Sequence, residues 1–274
     1  MKYNLLLFIF MGIISCDYFD PKTFFYTNPV DSRFDSNIQL EKIKAPVLID
    51  ENNYNFLVIS DTHYYQTDLN YFDSIQKYVN EYQIEFVVVC GDITQAGMEY
   101  SFQLAVKDFQ RVSIPVYAVF GNHDLSNNGF SLFSTYFGRT MYDFSFGDTY
   151  MVFLDTANGI LGDKQKKWYK SILNENKKSN IFVFNHFTLF DDLFQTPTAM
   201  PYPEETYFFT NINDQYNIDY FITGHLHRFD DRTVRDVKYL SLAAPLSSYG
   251  KAVLFIVTGN DISYQIVDAV FDDR

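Results

Sequence analysis

The chain has 274 residues, of which 47% are hydrophobic, so it is long enough for one large domain or two small ones with a packed core. Its 21 basic and 34 acidic residues give a formal net charge of −13, which argues against a surface built to bind nucleic acid. This charge does not exclude a phosphorylated substrate, because bound metal ions can reverse the local sign of the potential.

The first 16 residues carry the features of a bacterial secretion signal. Lys2 precedes an apolar run from Leu5 to Ile14, which is shorter than the roughly 20 residues that cross a bilayer. The run ends in Ile-Ile-Ser-Cys, which resembles a lipoprotein signal box with Cys16 as the lipidated residue. We therefore predict an exported lipoprotein anchored to a membrane of the bacterial cell envelope. An ordinary cleaved signal, or a short anchor with an incidental cysteine, is the alternative.

Residues 17–53 are polar and aromatic, contain three prolines and show no sustained period, so we predict that they form a tether. The folded domain is predicted to occupy residues 54–272. Cys16 and Cys90 are the two cysteines of the chain, which excludes a disulfide framework. Cys90 ends an apolar run and is predicted to be a buried strand residue.

Beyond the tether, short apolar strands alternate with amphipathic segments, which predicts an α/β domain. The first strand, YNFLVIS, is followed by apolar residues at helical spacing from Leu69 to Tyr82. The next predicted elements are the strand EFVVVC, the helix EYSFQLAVKDFQRV, the strand PVYAVF, a hairpin around Gly147, a helix from Lys164 to Asn174, the strand NIFVF, a helix from Glu204 to Asn213 and the strand DYFIT. The tail segments VKYLSL, AVLFIV and ISYQIV are predicted to be antiparallel strands.

All five histidines of the chain follow directly after predicted strands, together with Asp, Asn and Gly. The carboxyl ends of the strands in an open α/β sheet form the crevice in which ligands bind. The strand ends are therefore expected to share one site, which contains Asp61, His63, Asp92, Asn122, His123, Asp124, His186, His225 and His227.

Imidazole, carboxylate and amide groups without a thiolate suit divalent transition ions such as Mn, Fe or Zn. These groups are more numerous than the ligands that one ion with four to six ligands needs, so the sequence predicts two ions. Two ions about 3.5–4 Å apart can hold both the attacking and the leaving oxygen of a phosphoryl displacement. One carboxylate must then bridge them.

Five motifs at the strand ends resemble, in their order, the motif set of calcineurin-like metallophosphoesterases. They are Asp-Thr-His, Gly-Asp-Ile-Thr-Gln-Ala-Gly, Gly-Asn-His-Asp, a single histidine and Gly-His-Leu-His, and the similarity spans about residues 55–267. The resemblance implies a four-layer α/β/β/α double β-sandwich that hydrolyses a phosphodiester or a phosphomonoester. It also implies one ion on Asp61, His63, Asp92 and His227, and the other on Asp92, Asn122, His186 and His225.

The same resemblance implies a mechanism in which a metal-bound hydroxide attacks phosphorus in line. His123 would then not be a ligand but would donate a proton to the leaving oxygen, and Asp124 would orient its ring. Asp124 could instead cap a helix. The expected partners are a phosphate-ester substrate and, through Cys16, a membrane.

A non-catalytic binding or scaffold lipoprotein on the same fold is the alternative to an enzyme, and the intact ligand set argues against it. A finer resemblance points to the branch that contains cyclic-nucleotide phosphodiesterases and purple-acid-phosphatase-like enzymes. That branch often has two adjacent histidines and prolines at the fourth motif, where this chain has His186, Phe187, Thr188 and Leu189. The substrate therefore stays open. Residues 187–203 form a long connection, which we expect to lie at the rim of the cleft.

Overall fold

The structure is a computed structural model that describes residues 30–66, 71–191, 199–245 and 250–268. The predicted signal peptide, including Cys16, and the first part of the predicted tether lie outside these ranges. Across the described ranges, no helix has both the length and the apolar character needed to cross a membrane.

Within the described residues, eleven strands form two sheets. The first sheet has five strands in the order β11-β10-β1-β2-β3, in which β1, β2 and β3 are parallel. The second has six strands in the order β4-β5-β6-β7-β9-β8, in which β5, β6, β7 and β9 are parallel. The strands are β1 (Asn53–Ile59), β2 (Ile84–Val89), β3 (Val116–Ala118), β4 (Tyr142–Phe146), β5 (Thr149–Phe153), β6 (Asn180–Phe184), β7 (Tyr220–Thr223), β8 (Asp230–Val234), β9 (Val237–Ser241), β10 (Lys251–Thr258) and β11 (Asp261–Asp268).

Six helices accompany the sheets in the described residues. The local pattern is clear in α2, whose buried residues Phe72, Ile75 and Val79 recur on one helical face. The helices are α1 (Val30–Asn37), α2 (Tyr71–Tyr82), α3 (Glu99–Phe109), α4 (Gly129–Tyr136), α5 (Asp163–Glu175) and α6 (Pro203–Gln215).

Alternating side chains of the strands build three apolar layers. In β1, Phe56 and Val58 enter the core between the two sheets, whereas Leu57 and Ile59 enter the core beneath α2, α3 and α4. A third core lies beneath α5 and α6, and contains Tyr169 among its buried residues. The molecule is therefore the four-layer α/β/β/α sandwich that the resemblance implies.

Several elements differ from the prediction. The chain forms α4 and β8, which were not predicted, because the residues of α4 are mostly aromatic and small and those of β8 are charged. The segment VKYLSL forms β9, which pairs in parallel with β7 and not only antiparallel as expected. The strand β9 pairs with β7 because β7 has an edge free for hydrogen bonding, and the local sequence pattern does not contain this information.

The predicted tether is also corrected, because residues 30–37 form the helix α1 against the sandwich. Arg33 of this helix is 1% exposed and forms two hydrogen bonds with the carboxylate of Asp155, at 2.8 and 2.9 Å, and a third with Asn158. Asn37 is fully buried and bonds to the backbone of Thr140 and Met141. Polar side chains, which carry no apolar signal in the sequence, therefore hold α1 in place.

The buried Arg33–Asp155 pair generates a stability prediction. Arg33→Met should lower the free energy of unfolding by about 3–5 kcal/mol, because it leaves the carboxylate of Asp155 buried without its partner. Arg235→Met is the control, since Arg235 is exposed and faces Asp214 at 3.6 Å, and it should cost at most about 1 kcal/mol. Urea titration measures both losses. Equal losses in the two variants would show that the buried Arg33–Asp155 pair contributes no more to stability than an exposed pair does.

Candidate metal centre

The parallel strands of both sheets end at one edge of the sandwich, here called the carboxyl edge. The first sheet contributes side chains after β1, β2 and β3, and the second contributes side chains after β6 and β7. The structure brings all seven predicted ligands together at this edge, namely Asp61, His63, Asp92, Asn122, His186, His225 and His227. Their role as ligands stays a prediction.

A first group of ligand atoms contains Asp61, His63 and His227. The Nε2 atoms of His63 and His227 lie 3.1 Å apart, and Nε2 of His227 lies 3.3 Å from Oδ1 of Asp61. Two imidazole nitrogens at this distance repel each other through their lone pairs unless a proton or a cation lies between them. The first group therefore fits a cation.

A second group contains Asp92, His186 and His225, with Asn122 beside them. Nε2 of His186 lies 3.2 Å from Oδ2 of Asp92, and Oδ1 of Asn122 lies 2.9 Å from both Nε2 of His186 and Nδ1 of His225. This donor set of two imidazoles, a carboxylate and an amide oxygen suits a divalent transition ion.

Asp92 lies between the two groups. Its Oδ2 atom is 3.9 Å from Nε2 of His63 and 3.2 Å from Nε2 of His186. Burial alone would raise the pKa of Asp92, but the charges of His186 and His123 and a hydrogen bond to His186 hold that pKa well below its usual range. The carboxylate is therefore ionised, and it occupies the position that a ligand shared by two ions requires.

The histidines around Asp92 differ in their protonation. Burial lowers the pKa of His63 to about 4 and that of His225 to about 3. Burial also opposes the charge on His186, but the carboxylate of Asp92 overcomes it and raises the pKa of His186 to about 9. His63 and His225 are thus held in the neutral form that binds a metal, and a metal on His186 would have to displace its proton.

The backbone at the site is strained. Five of the predicted ligands, which are not glycines, have a positive φ between 47° and 74°: Asp61, His63, Asp92, His225 and His227. A residue held in this left-handed region costs of order 1–3 kcal/mol, and such residues cluster at functional sites. This backbone conformation directs the polar side chains that follow β1, β2 and β7 toward one point.

Two glycines allow the close approach of the loops. A Cβ atom at Gly91 would lie 2.5 Å from Nδ1 of His186, and one at Gly224 would lie 1.9 Å from the hydroxyl of Ser60 and 2.7 Å from Asp61. These glycines directly precede Asp92 and His225. Any side chain in either position would separate the two sheets at the site.

His123 points into the site with its Nε2 atom 3.9 Å from Oδ2 of Asp92, and its side chain is 30% exposed. Its Nδ1 atom lies 2.8 Å from the backbone oxygen of Gln95, so this carbonyl orients the ring. His123 also belongs to a third group of possible ligands, with His63 and Asp92. The structure thus permits a proton donor or a ligand at this position.

The prediction that Asp124 orients the ring of His123 is wrong. The Asp124 carboxylate is fully buried and accepts hydrogen bonds from the amides of Ile93, Thr94 and Gly121 and from the hydroxyl of Thr94. Burial, followed by the charge of Asp92, raises the pKa of Asp124 to about 7. Asp124 therefore joins the loop after β2 to the loop after β3, which carry Asp92 and Asn122.

Sequence reasoning placed Phe187 on the connection expected at the rim of the cleft but gave it no contact with a predicted ligand. In the structure the ring of Phe187 lies 4.0 Å from the ring of His225 and limits the rotation of the His225 ring. The amide of Phe187 donates to the hydroxyl of Thr156, in the loop after β5. The position of Phe187 directly after His186 was the signal available in the sequence.

A family model for calcineurin-like phosphoesterases matches residues 54–229, well over half of the chain. The chain belongs to this family. As a calcineurin-like phosphoesterase it is a phosphoric ester hydrolase, and members of the family typically depend on two metal ions, which agrees with the two ligand groups. No curated protein matches the chain at a significant level.

Solved structures similar to this phosphoesterase share its fold at low sequence identity. A dimetal phosphatase from Danio rerio has a TM-score of 0.63 and 14% identity, with 82% of this chain and 98% of that one covered. The purple acid phosphatase PPD1 from yellow lupin (Lupinus luteus) has a TM-score of 0.65 and 12% identity over 79% of this chain and 52% of that one. A putative 5'-nucleotidase from Staphylococcus aureus has a TM-score of 0.55 and 16% identity over 81% and 55%.

The position of Asp92 between the groups generates a prediction about metal content. Asp92→Asn should reduce the bound ions from about two per chain to fewer than one, because it removes the shared charge, whereas His63→Ala should leave about one. Elemental analysis after loading with Mn, and a binding titration, measure this difference. Asp214→Asn, on the exposed face of α6, is the control and should bind as the wild type does. Two ions retained by Asp92→Asn would rule out a bridging carboxylate.

Proposed function

We propose that this protein is a hydrolase of phosphate esters that uses two divalent transition ions, Mn, Fe or Zn. The observation that carries the proposal is the convergence of two ligand groups on the buried carboxylate of Asp92. Bound there, the ions would activate water and neutralise charge on the phosphoryl group.

In this proposal the position of each predicted ligand determines which of the two ions it binds. Asp61, His63 and His227 hold the ion of the first group, and His186, His225 and Asn122 hold that of the second. Asp92 contributes to both. Because the groups face each other across the carboxyl edge, a phosphoryl group between them would contact both ions at once.

His123 is proposed as the general acid. Its ring is held by the bond between Nδ1 and the carbonyl of Gln95, which leaves Nε2 directed toward the site. In its protonated form, Nε2 can donate a proton to the oxygen that leaves phosphorus. Both ligand groups are complete without this residue, which supports a role in proton transfer.

The dependence of the rate on the leaving group of the ester tests the role of His123. His123→Ala should retain both ions but slow the hydrolysis of alkyl esters by about 10²–10⁴-fold, the usual contribution of a positioned proton donor. The loss should shrink for p-nitrophenyl esters, because p-nitrophenolate departs without a proton. The measurement is kcat for a series of esters whose leaving-group pKa increases, alongside metal content.

Asp124→Asn is the matched control for this experiment. It disturbs the hydrogen bonds to Ile93, Thr94 and Gly121 but leaves the bond between His123 and Gln95 in place. We expect lower stability with the same dependence on the leaving group as the wild type. A His123→Ala variant that loses an ion, or that slows both ester classes equally, would identify His123 as a ligand or a phosphate binder instead.

We also propose that the enzyme is exported and anchored through lipid on Cys16. The support is the Ile-Ile-Ser-Cys sequence behind the short apolar run. The thirteen residues between Cys16 and the start of α1 span at most about 45 Å when fully extended. A lipid on Cys16 would therefore keep the phosphoesterase domain near the membrane surface.

Lipidation predicts a specific change in fractionation. The wild type should sediment with membranes and carry an acylated Cys16 at its mature N-terminus, whereas Cys16→Ser should lack the acyl groups. Mass spectrometry of the N-terminal peptide and fractionation of cells measure both properties. Cys90→Ala is the control, since Cys90 is buried in the domain. A mature N-terminus at another residue without acyl groups would refute the anchor.

A further inference from the structure

The loops of the carboxyl edge have an unusual charge. Seven connections follow parallel strands at this edge, and their whole sequence contains a single Lys or Arg, namely Arg228. Apart from the proposed ligands and the buried Asp124 and Asp155, the same loops contain Asp68, Asp191 and Asp192. The seven connections are residues 60–70, 90–98, 119–128, 154–162, 185–202, 224–229 and 242–250.

Arg228 already has a partner. One of its guanidinium nitrogens lies 3.2 Å from Oδ1 of Asp191, and the side chain of Asp191 is only 6% exposed. A carboxylate this buried cancels most of the positive potential that Arg228 would otherwise present to a substrate. Excluding the metal ions, the rim of the site is therefore neutral to negative.

Three basic side chains elsewhere in the described ranges also have acidic partners. Arg33 faces Asp155 at 2.8 Å, Lys166 faces Glu205 at 2.5 Å, and Arg232 faces Asp230 at 2.9 Å. A substrate phosphate would thus meet positive charge at the metal centre, while the described part of the surrounding rim would add no uncompensated positive charge.

We propose that the site selects monoanionic phosphodiesters over dianionic phosphomonoesters, an inference that rests on the proposed function. A phosphomonoester carries about −1.5 to −2 charges at neutral pH. The additional negative charge of the monoester would need a positive side chain beside the ions, and Arg228, the one basic residue of these loops, is paired with Asp191. A diester replaces the additional negative oxygen with an uncharged alkoxy or aryloxy group.

Neutral aromatic side chains in the loops of the carboxyl edge suit such a second substituent. Phe187 packs on His225 with ring centroids 4.0 Å apart, and Tyr65, in the loop after β1, lies 6.2 Å from the ring of Tyr100. Tyr202, at the end of the loop before α6, is half exposed. Aromatic surfaces of this kind contact an uncharged group without the desolvation cost that a charged oxygen would bring.

The test compares two esters with one leaving group. Protein loaded with Mn is assayed at about pH 8, where the monoester is a dianion, on bis(p-nitrophenyl) phosphate and on p-nitrophenyl phosphate. We expect kcat/KM to be at least about tenfold higher for the diester, corresponding to about 1.4 kcal/mol in transition-state binding. Added salt should raise the relative rate of the monoester, because it screens the repulsion from a chain whose formal net charge is −13.

Two variants test the charge of the rim directly. Asp191→Asn leaves Arg228 without its carboxylate, so the preference for the diester should fall by about threefold or more. Arg228→Gln should change the preference by less than about twofold, because the positive charge that it removes is already neutralised. The control is Asp214→Asn, which breaks an Asp–Arg pair with Arg235 on α6, away from the carboxyl edge, and should leave the preference unchanged.

The outcomes separate this proposal from the proposed function. A wild type that prefers the monoester, or an Arg228→Gln variant that loses monoester turnover alone, overturns the diester preference and leaves the phosphoesterase activity standing. Protein that binds two ions but hydrolyses neither ester overturns the proposed function and the substrate preference together. A diester preference that falls in Asp191→Asn but not in Asp214→Asn supports both.

Discussion

The buried carboxylate of Asp92 is the constraint on which the site depends. It stands at the end of β2 in the first sheet, and it faces His186 from the second sheet at 3.2 Å. A carboxylate inside a protein is strongly unfavourable unless positive charge or hydrogen-bond donors surround it. The two sheets must therefore meet in one register at the carboxyl edge, and this requirement places the other predicted ligands around the same point.

The sandwich beneath the site provides the rigidity that this arrangement needs. Phe56 stacks on Phe86 and Phe255, with ring centroids 4.9 and 4.8 Å apart, and meets Phe182 of the other sheet edge-on. Aromatic contacts of this kind stabilise beyond the burial of their area. The stabilisation from these aromatic contacts offsets the free-energy cost of the positive φ values and of the buried charges at the carboxyl edge.

Helix α1 shows how the segment nearest the proposed anchor is joined to the same edge. Arg33 binds Asp155 at the end of β5, and its guanidinium also lies over the ring of Phe120, directly before the Gly-Asn-His-Asp motif. The chain is thus part of the fold from Val30 onward.

The sequence alone determined the alternation of strands and helices, the α/β class, and the set of residues that meet at the edge, because strand ends and periodicity are local properties. It could not determine how that set is arranged. Asp124 bonds to backbone amides instead of His123, and α1 docks through Arg33 and Asn37, since both depend on groups far along the chain. The pairing of Arg228 with Asp191 was also decided by the tertiary structure. The net charge at a site depends on the distances between its side chains in space, and the order of residues along the chain does not contain those distances.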